Sequence, residues 1–174
     1  DDYVFGEDGD DKIYGNEGND ILVGGAGNDY MSGGKGADTY IHGRGDGNDT
    51  IYNFDSTSDR ALDKLVLKGI KAEDVELTRS SLNLIIIDTV SNETITIKDA
   101  YDWADGSNYV DTIEFDDGTV WDKKTLKAMP ITMRGSEAGD TINGSTTAYN
   151  YTSDETYYAG AGNDRIGGNV GNDT

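Results

Sequence analysis

The sequence predicts an all-β chain: short strands wound into a coil, in two blocks, with a small β-rich domain between them. Three observations carry this. An aspartate returns every nine residues from Asp2 to Asp38, with glycines before it and an apolar residue two places after it. Over residues 53–130 that beat gives way to strand-like apolar runs. It restarts beyond residue 131, so the expected divisions are 1–52, 53–130 and 131–174.

Each row of the first block has a physical reading. Aligned on the aspartate, the rows are "GEDGDDKIY", "GNEGNDILV", "GGAGNDYMS" and "GGKGADTYI", and "DDYVF" is the end of a row before them. The row "RGDGNDTIY" follows after two extra residues, His42 and Gly43. The consensus is G-G-x-G-x-D-x-U-x, with U apolar: Val4, Ile13, Leu22, Met31, Tyr40 and Ile51. The residues around U form a short strand whose middle side chain points to one face. The glycine-rich remainder forms a sharp turn, since glycine permits positive φ and close backbone approach. Nine residues are then half a coil and eighteen a full one. Asp2 stacks over Asp20, Asp11 over Asp29, Asp20 over Asp38, and Asp29 near Asp49.

Stacked carboxylates repel unless a cation lies between them. Ca²⁺ suits such a place, because it takes about 6–8 oxygen ligands and tolerates irregular geometry, whereas Mg²⁺ wants a tighter octahedron and keeps its waters. The plain alternative is a metal-free solenoid whose aspartates merely end its turns. No stretch has the EF-hand pattern.

The composition agrees with cation binding. The 174 residues carry 34 acidic and 14 basic side chains, a formal net charge of −20. Such a surface disfavours nucleic acid and anionic bilayers as partners. The regular placement of apolar residues argues against the disorder that acidity and glycine alone would suggest. The longest apolar run, "LNLIIID" from Leu82, is strand-sized and far short of the roughly 18 residues of a membrane span. The start, "DDYVFGEDGDD", has no signal-peptide pattern. The absence of cysteine excludes disulfides and thiolate metal sites.

The nonapeptide rows resemble the RTX (repeats-in-toxin) family of secreted bacterial proteins, whose fold is the parallel β-roll and whose ligand is Ca²⁺. The resemblance implies that one turn gives its third- and fifth-position carbonyls and its aspartate. The turn eighteen residues on gives its second- and fourth-position carbonyls and its aspartate. The first site is then Asp1, Asp2, Asn16, Gly18 and Asp20. The second is Asp8, Asp10, Asp11, Gly25, Gly27 and Asp29. The third is Glu17, Asn19, Asp20, Gly34, Gly36 and Asp38. A fourth, of Ala26, Asn28, Asp29, Gly45, Gly47 and Asp49, must absorb the two-residue insertion. Glu7 and Asn16 stand where the pattern has its second glycine.

In the middle division, "DKLVLKGI", "LNLIIID", "ETITIKD" and "DTIEFDDGTVWD" read as strands. "KAEDVEL" begins with a short helical turn, Asp117-Gly118 makes a hairpin, and "KKTLKAM" is a short helix ended by Pro130. This order resembles the β-rich segment that follows RTX rows in some haemolysin-type proteins. Asp99, Asp102, Asp105, Asp111, Asp116 and Asp117 crowd it, either as a solvated acidic surface or as a further Ca²⁺ site. With 11 tyrosines in the chain and Trp103 and Trp121 in this division, an aromatic face for a sugar or peptide is a second reading.

The beat returns in "GSEAGDTIN" (135–143), "AGAGNDRIG" (159–167) and "GNVGNDT" (168–174). By resemblance, Asp140, Gly160, Gly162, Asp164 and Asp173 take ligand positions there. Asp140 and Asp164 are 24 apart, so a loop must bulge between them. Both ends cut through rows, and the chain reads as a piece of a longer array.

The expected function is a calcium-binding structural segment, without catalysis, of a large secreted RTX toxin or adhesin, monomeric as a fragment. The family implies that the chain stays unfolded at low calcium, leaves by a type I secretion channel and folds outside. The alternative is an adhesive module whose insert binds a glycan or host-surface protein. A hydrolase is the third class, since RTX rows accompany proteases and lipases. One histidine, His42, expected on the surface, makes general-base chemistry a poor reading. Arg44-Gly45-Asp46 spells an integrin tripeptide but occupies a repeat row.

Overall fold

A computed structural model describes residues 1–53, 61–80, 82–100, 110–134, 141–143 and 155–167. The first block forms β1 (Tyr3–Asp8), β2 (Lys12–Glu17), β3 (Ile21–Ala26), β4 (Tyr30–Lys35), β5 (Thr39–Gly43) and β6 (Asp49–Ile51). Alternate strands go to opposite sheets, as a nine-residue half-coil requires. β1, β3 and β5 are parallel neighbours in one sheet, and β2, β4 and β6 in the other. The eighteen-residue register is direct: Val4 pairs with Leu22, Leu22 with Tyr40, and Ile13 with Met31.

Within these strands exposure alternates, so the U residues face inward. Leu22, Met31, Tyr40 and Ile51 are wholly buried and Ile13 nearly so. Each such aliphatic side chain contributes about 1.5–3 kcal/mol on burial. The fold is all-β, and the U positions are its core.

Both sheets continue across residues 52–53. β7 (Lys64–Lys68) adds to β5 in parallel, Tyr40 facing Leu65. β8 (Val75–Ser80), β9 (Asn83–Asp88) and β10 (Glu93–Ile97) form an antiparallel meander, and β10 lies parallel to β6. β11 (Thr112–Glu114) adds to β7 and turns back into β12 (Val120–Asp122), with Gly118 at φ +84° in the turn. A 3₁₀ turn, Ala72–Asp74, precedes β8 as "KAEDVEL" suggested. The short helix α1 (Lys123–Ala128) is capped by Asp122, whose carboxylate accepts from the Thr125 amide at 2.7 Å.

β13 (Ile131–Arg134) and β15 (Glu155–Tyr158) extend the second sheet beyond β8. β14 (Thr141–Asn143) and β16 (Arg165–Gly167) form a separate parallel pair with the expected 24-residue offset, Ile142 against Ile166. No helix among the described residues is long and apolar enough to cross a membrane.

Trp121 is no platform for a sugar. It is buried, edge-on to Phe115 with ring centroids 4.4 Å apart. Trp103 lies outside the described residues.

Candidate metal centre

The aspartates of the beat are tied coil to coil through their backbones. The Asp2 amide donates to Asp20 Oδ1 at 2.6 Å, Asp11 to Asp29 at 2.8 Å, Asp20 to Asp38 at 2.9 Å, and Asp29 to Asp49 at 2.9 Å. Beside this ladder runs a second, of opposite sense. The Asn19 amide donates to Asp1 Oδ1 at 2.5 Å, Asn28 to Asp10 at 2.8 Å, Ala37 to Asn19 at 2.8 Å, and Asn48 to Asn28 at 3.1 Å. Asp1, Asp10, Asn19 and Asn28 supply the side-chain acceptors of this second ladder, which explains the paired "ND" and "DD" of most rows, while Ala37 only donates.

The bonds of the aspartate ladder use Oδ1 of the accepting carboxylates, Asp20, Asp29, Asp38 and Asp49. Oδ2 is buried in Asp11, Asp20 and Asp29 with no hydrogen-bond donor in reach. It faces the inward glycine five residues earlier. A Cβ on Gly6 would stand 2.7 Å from Asp11 Oδ2, and one on Gly15 or Gly24 would collide with Oδ2 of Asp20 or Asp29. Burial, reinforced by the neighbouring carboxylates of Asp49, Asp11 and Asp10, pushes the Asp29 carboxyl above its ordinary range despite the Asp11 amide bond.

The turns bring backbone oxygens close as well. Gly25 and Gly27 have φ of +99° and +150°, and a Cβ on either would run into the carbonyl oxygen of Glu7 or Gly9 in the preceding coil. Glu7 and Asn16, the departures from the glycine pattern, adopt the same left-handed backbone at φ +75° and +76°. Buried carboxylate oxygens without donors are costly unless paired with a cation. Paired carboxylates among carbonyl-rich turns form a hard, all-oxygen donor set, which fits Ca²⁺. Among the described residues no three His, Cys, Asp or Glu side chains converge as a metal cluster. A cation here would therefore depend on backbone carbonyls.

The remaining expected residues fall as follows. Asp8 ends β1, register-paired with Ala26, and the Glu17 carboxylate meets Lys35 Nζ at 2.8 Å on the surface. Gly18, Gly34, Gly36 and Gly47 share the positive φ of Gly25 and Gly27. In the second block Gly160 and Gly162 have positive φ and Asp164 is half-buried. Asp140 and Asp173 lie outside the described residues.

One expectation needs correction, and the reading of Arg44-Gly45-Asp46 as part of a repeat row is kept. His42 is not on the surface: strand alternation carries β5 through it, and it is wholly buried with Nδ1 2.7 Å from Asp49 Oδ2. The extra residues form a turn after it, in which the Gly43 amide meets Asp46 Oδ2 at 2.6 Å. Arg44 is not offered to a receptor, because its Nε and Nη2 grip Asp88 at 2.6 and 3.2 Å and Nη2 reaches Asp74 at 2.8 Å.

Sequence reasoning missed two members of the aspartate ladder. The Asp38 amide donates to Asp63 Oδ1 at 2.7 Å, and the Asp63 amide to Asp111 Oδ2 at 2.9 Å. The signal was available: "DKL" and "DTI" keep the D-x-U triplet after the nine-residue spacing is lost. Asp111 also pairs with Lys123 at 2.6 Å, and Asp117 accepts from the Thr119 amide at 2.8 Å, so both act within the fold.

Comparison with known proteins agrees with this geometry. Residues 5–40, 14–51 and 149–174 match the model of the RTX calcium-binding nonapeptide repeat, and residues 83–125 match the haemolysin-type calcium binding protein related domain. The iron-regulated protein FrpA of Neisseria meningitidis serogroup C is 37% identical over 125 residues, which cover 71% of this chain and 10% of FrpA.

Proposed function

Since this chain belongs to the RTX haemolysin-type calcium-binding proteins, we propose that it is a calcium-dependent structural segment of a large secreted bacterial protein, folding where calcium is plentiful. The observation that carries this is the set of buried Oδ2 atoms of Asp11, Asp20 and Asp29, each without a donor and set against the inward glycine of the preceding strand. At a net charge of −20, the chain without cations does not offset the entropy of ordering. Calcium binding supplies that folding free energy, because the ions bind the coiled state and not the extended one. Low calcium then keeps the chain extended for export, and higher calcium outside the cell winds it up. The ion sets are those of the first three sites, with Asp20 shared between the first and third.

Circular dichroism during a Ca²⁺ titration of EDTA-treated protein tests the reading. It expects a cooperative gain of β-structure, with Mg²⁺ a poor substitute. A chain fully folded in EDTA overturns it.

A further inference from the structure

The residue two places after U points into the coil. In four successive rows it is glycine: Gly6, Gly15, Gly24 and Gly33. The next two rows break this rule. His42 follows Tyr40 and Asn53 follows Ile51, and both side chains are buried.

Each of them occupies an aspartate oxygen. His42 Nδ1 lies 2.7 Å from Asp49 Oδ2, and because a carboxylate only accepts, Nδ1 carries the proton. Asn53 Nδ2 donates to Asp63 Oδ2 at 2.8 Å, while Asn53 Oδ1 accepts from the Tyr40 hydroxyl at 2.7 Å. In both aspartates Oδ1 is already bound by an amide of the neighbouring coil, from Asp29 and Asp38 respectively. Asp49 and Asp63 thus stand in the same ladder as Asp11, Asp20 and Asp29, but a side-chain N–H meets their second oxygen. Mere filling of space does not account for the imidazole, since its Nε2 is buried without a partner.

The backbone at this end differs too. Gly25 and Gly34 lie against carbonyl oxygens of the preceding coil, whereas a Cβ on Gly45 would meet nothing within 4 Å. The turn closed by Gly43 and Asp46 sets Gly45 off the stack, although the Gly27 amide still donates to the Asp46 carbonyl at 2.8 Å and Gly47 still lies against the Gly27 carbonyl. Further along, the inward position is taken by hydrocarbon: Leu67 after Leu65, and Phe115 after Ile113, all buried.

We infer that the cation ladder is closed by its own side chains at this end. His42 and Asn53 supply N–H donors where the other rows admit a metal ion, so Asp49 and Asp63 are ladder members without being ligands. The coil interior passes from oxygen-lined, through hydrogen-bonded, to apolar. The fourth ligand set, which needs Gly45 and Asp49, is therefore not a calcium site. This inference rests on the calcium reading of the first three sets.

Calcium stoichiometry of the full chain, by equilibrium dialysis and native mass spectrometry, tests it. Asp49→Asn keeps an oxygen for the Asp29 amide and is expected to bind as many ions as the wild type, whereas Asp20→Asn binds fewer. His42→Gly restores the glycine of the other rows and is expected to take up one ion more. Loss of an ion in Asp49→Asn overturns the inference, as does a folded His42→Gly protein with no added ion. Should His42→Gly fail to fold, Asp49→Asn still decides. A wild type that takes up no calcium refutes the underlying calcium reading instead.

Discussion

Asp20 and Asp38, eighteen residues apart, are joined by a 2.9 Å hydrogen bond from the amide of the first to Oδ1 of the second. Asp20 in turn accepts from the Asp2 amide at 2.6 Å, so it stands in the middle of a three-coil stack. Asp20 is wholly buried, whereas Asp2 is exposed. Asp20→Ala strands an amide donor, a loss of about 1–3 kcal/mol, and removes a carboxylate from two proposed ion sets. Asp2→Ala touches one. Calcium stoichiometry and melting temperature in calcium should both fall further for Asp20→Ala. Equal values for the two variants would refute the register as the basis of binding.

Arg44 ties the turn after β5 to the meander. Its partner Asp88 is wholly buried and keeps only the Val90 amide and Ser91 hydroxyl when the guanidinium is removed. Breaking such a charge-assisted fork costs about 2–3 kcal/mol, moderated by the partial exposure of Arg44. Arg44→Lys keeps the charge but loses the planar fork, so it should recover part of the loss. Urea denaturation in saturating calcium measures both. An Arg44→Ala protein as stable as the wild type would mean that the meander docks without this tie.

The same tie sets a pH dependence. Burial pushes the Asp88 carboxyl up, but Arg44, the Val90 amide and the Ser91 hydroxyl outweigh it and hold it below the ordinary range. A depressed carboxyl stabilises the fold above its unfolded pKa, about 4, and that contribution is lost as pH falls through the lower folded value. The stability gap between the wild type and Asp88→Asn should hold steady from about pH 7 to about 5 and narrow below about 4. A gap that widens on acidification would mean that Asp88 is destabilised, not stabilised, as a carboxylate in the folded chain.

How much of this was legible depends on what each residue type can signal. The U residues and the aspartate stack were readable because period and chemistry coincide at every row. His42 misleads because spacing alone puts the two extra residues at His42-Gly43. The strand in fact keeps alternating through His42, and the bulge follows it. Asp63 and Asp111 were hidden because loops of irregular length replace the nine-residue turns, although their D-x-U triplets survive. The Arg44–Asp88 pair spans 44 residues and has no local signature. No period in a single sequence reports it.

The middle division lies on one edge of each sheet of the first block, the β5 edge and the β6 edge. β7 pairs with β5 along Thr39–Gly43, and β10 pairs with β6 along Asp49–Ile51. Unpaired strand edges recruit other chains, and repeat arrays need capping for that reason. Leu65 and Leu67 of β7 are wholly buried, so removing the strand also uncovers apolar core. Deleting residues 53–134 and joining Tyr52 to Gly135 should leave the first three ion sets able to bind. Calcium would then wind up a coil with two newly bared edges, those of β5 and β6, and light scattering should rise on calcium addition and not in EDTA. A deletion variant that stays monomeric in calcium, with the melting temperature of the full chain, would show that residues 53–134 are dispensable to the coil and would leave them free for a binding role.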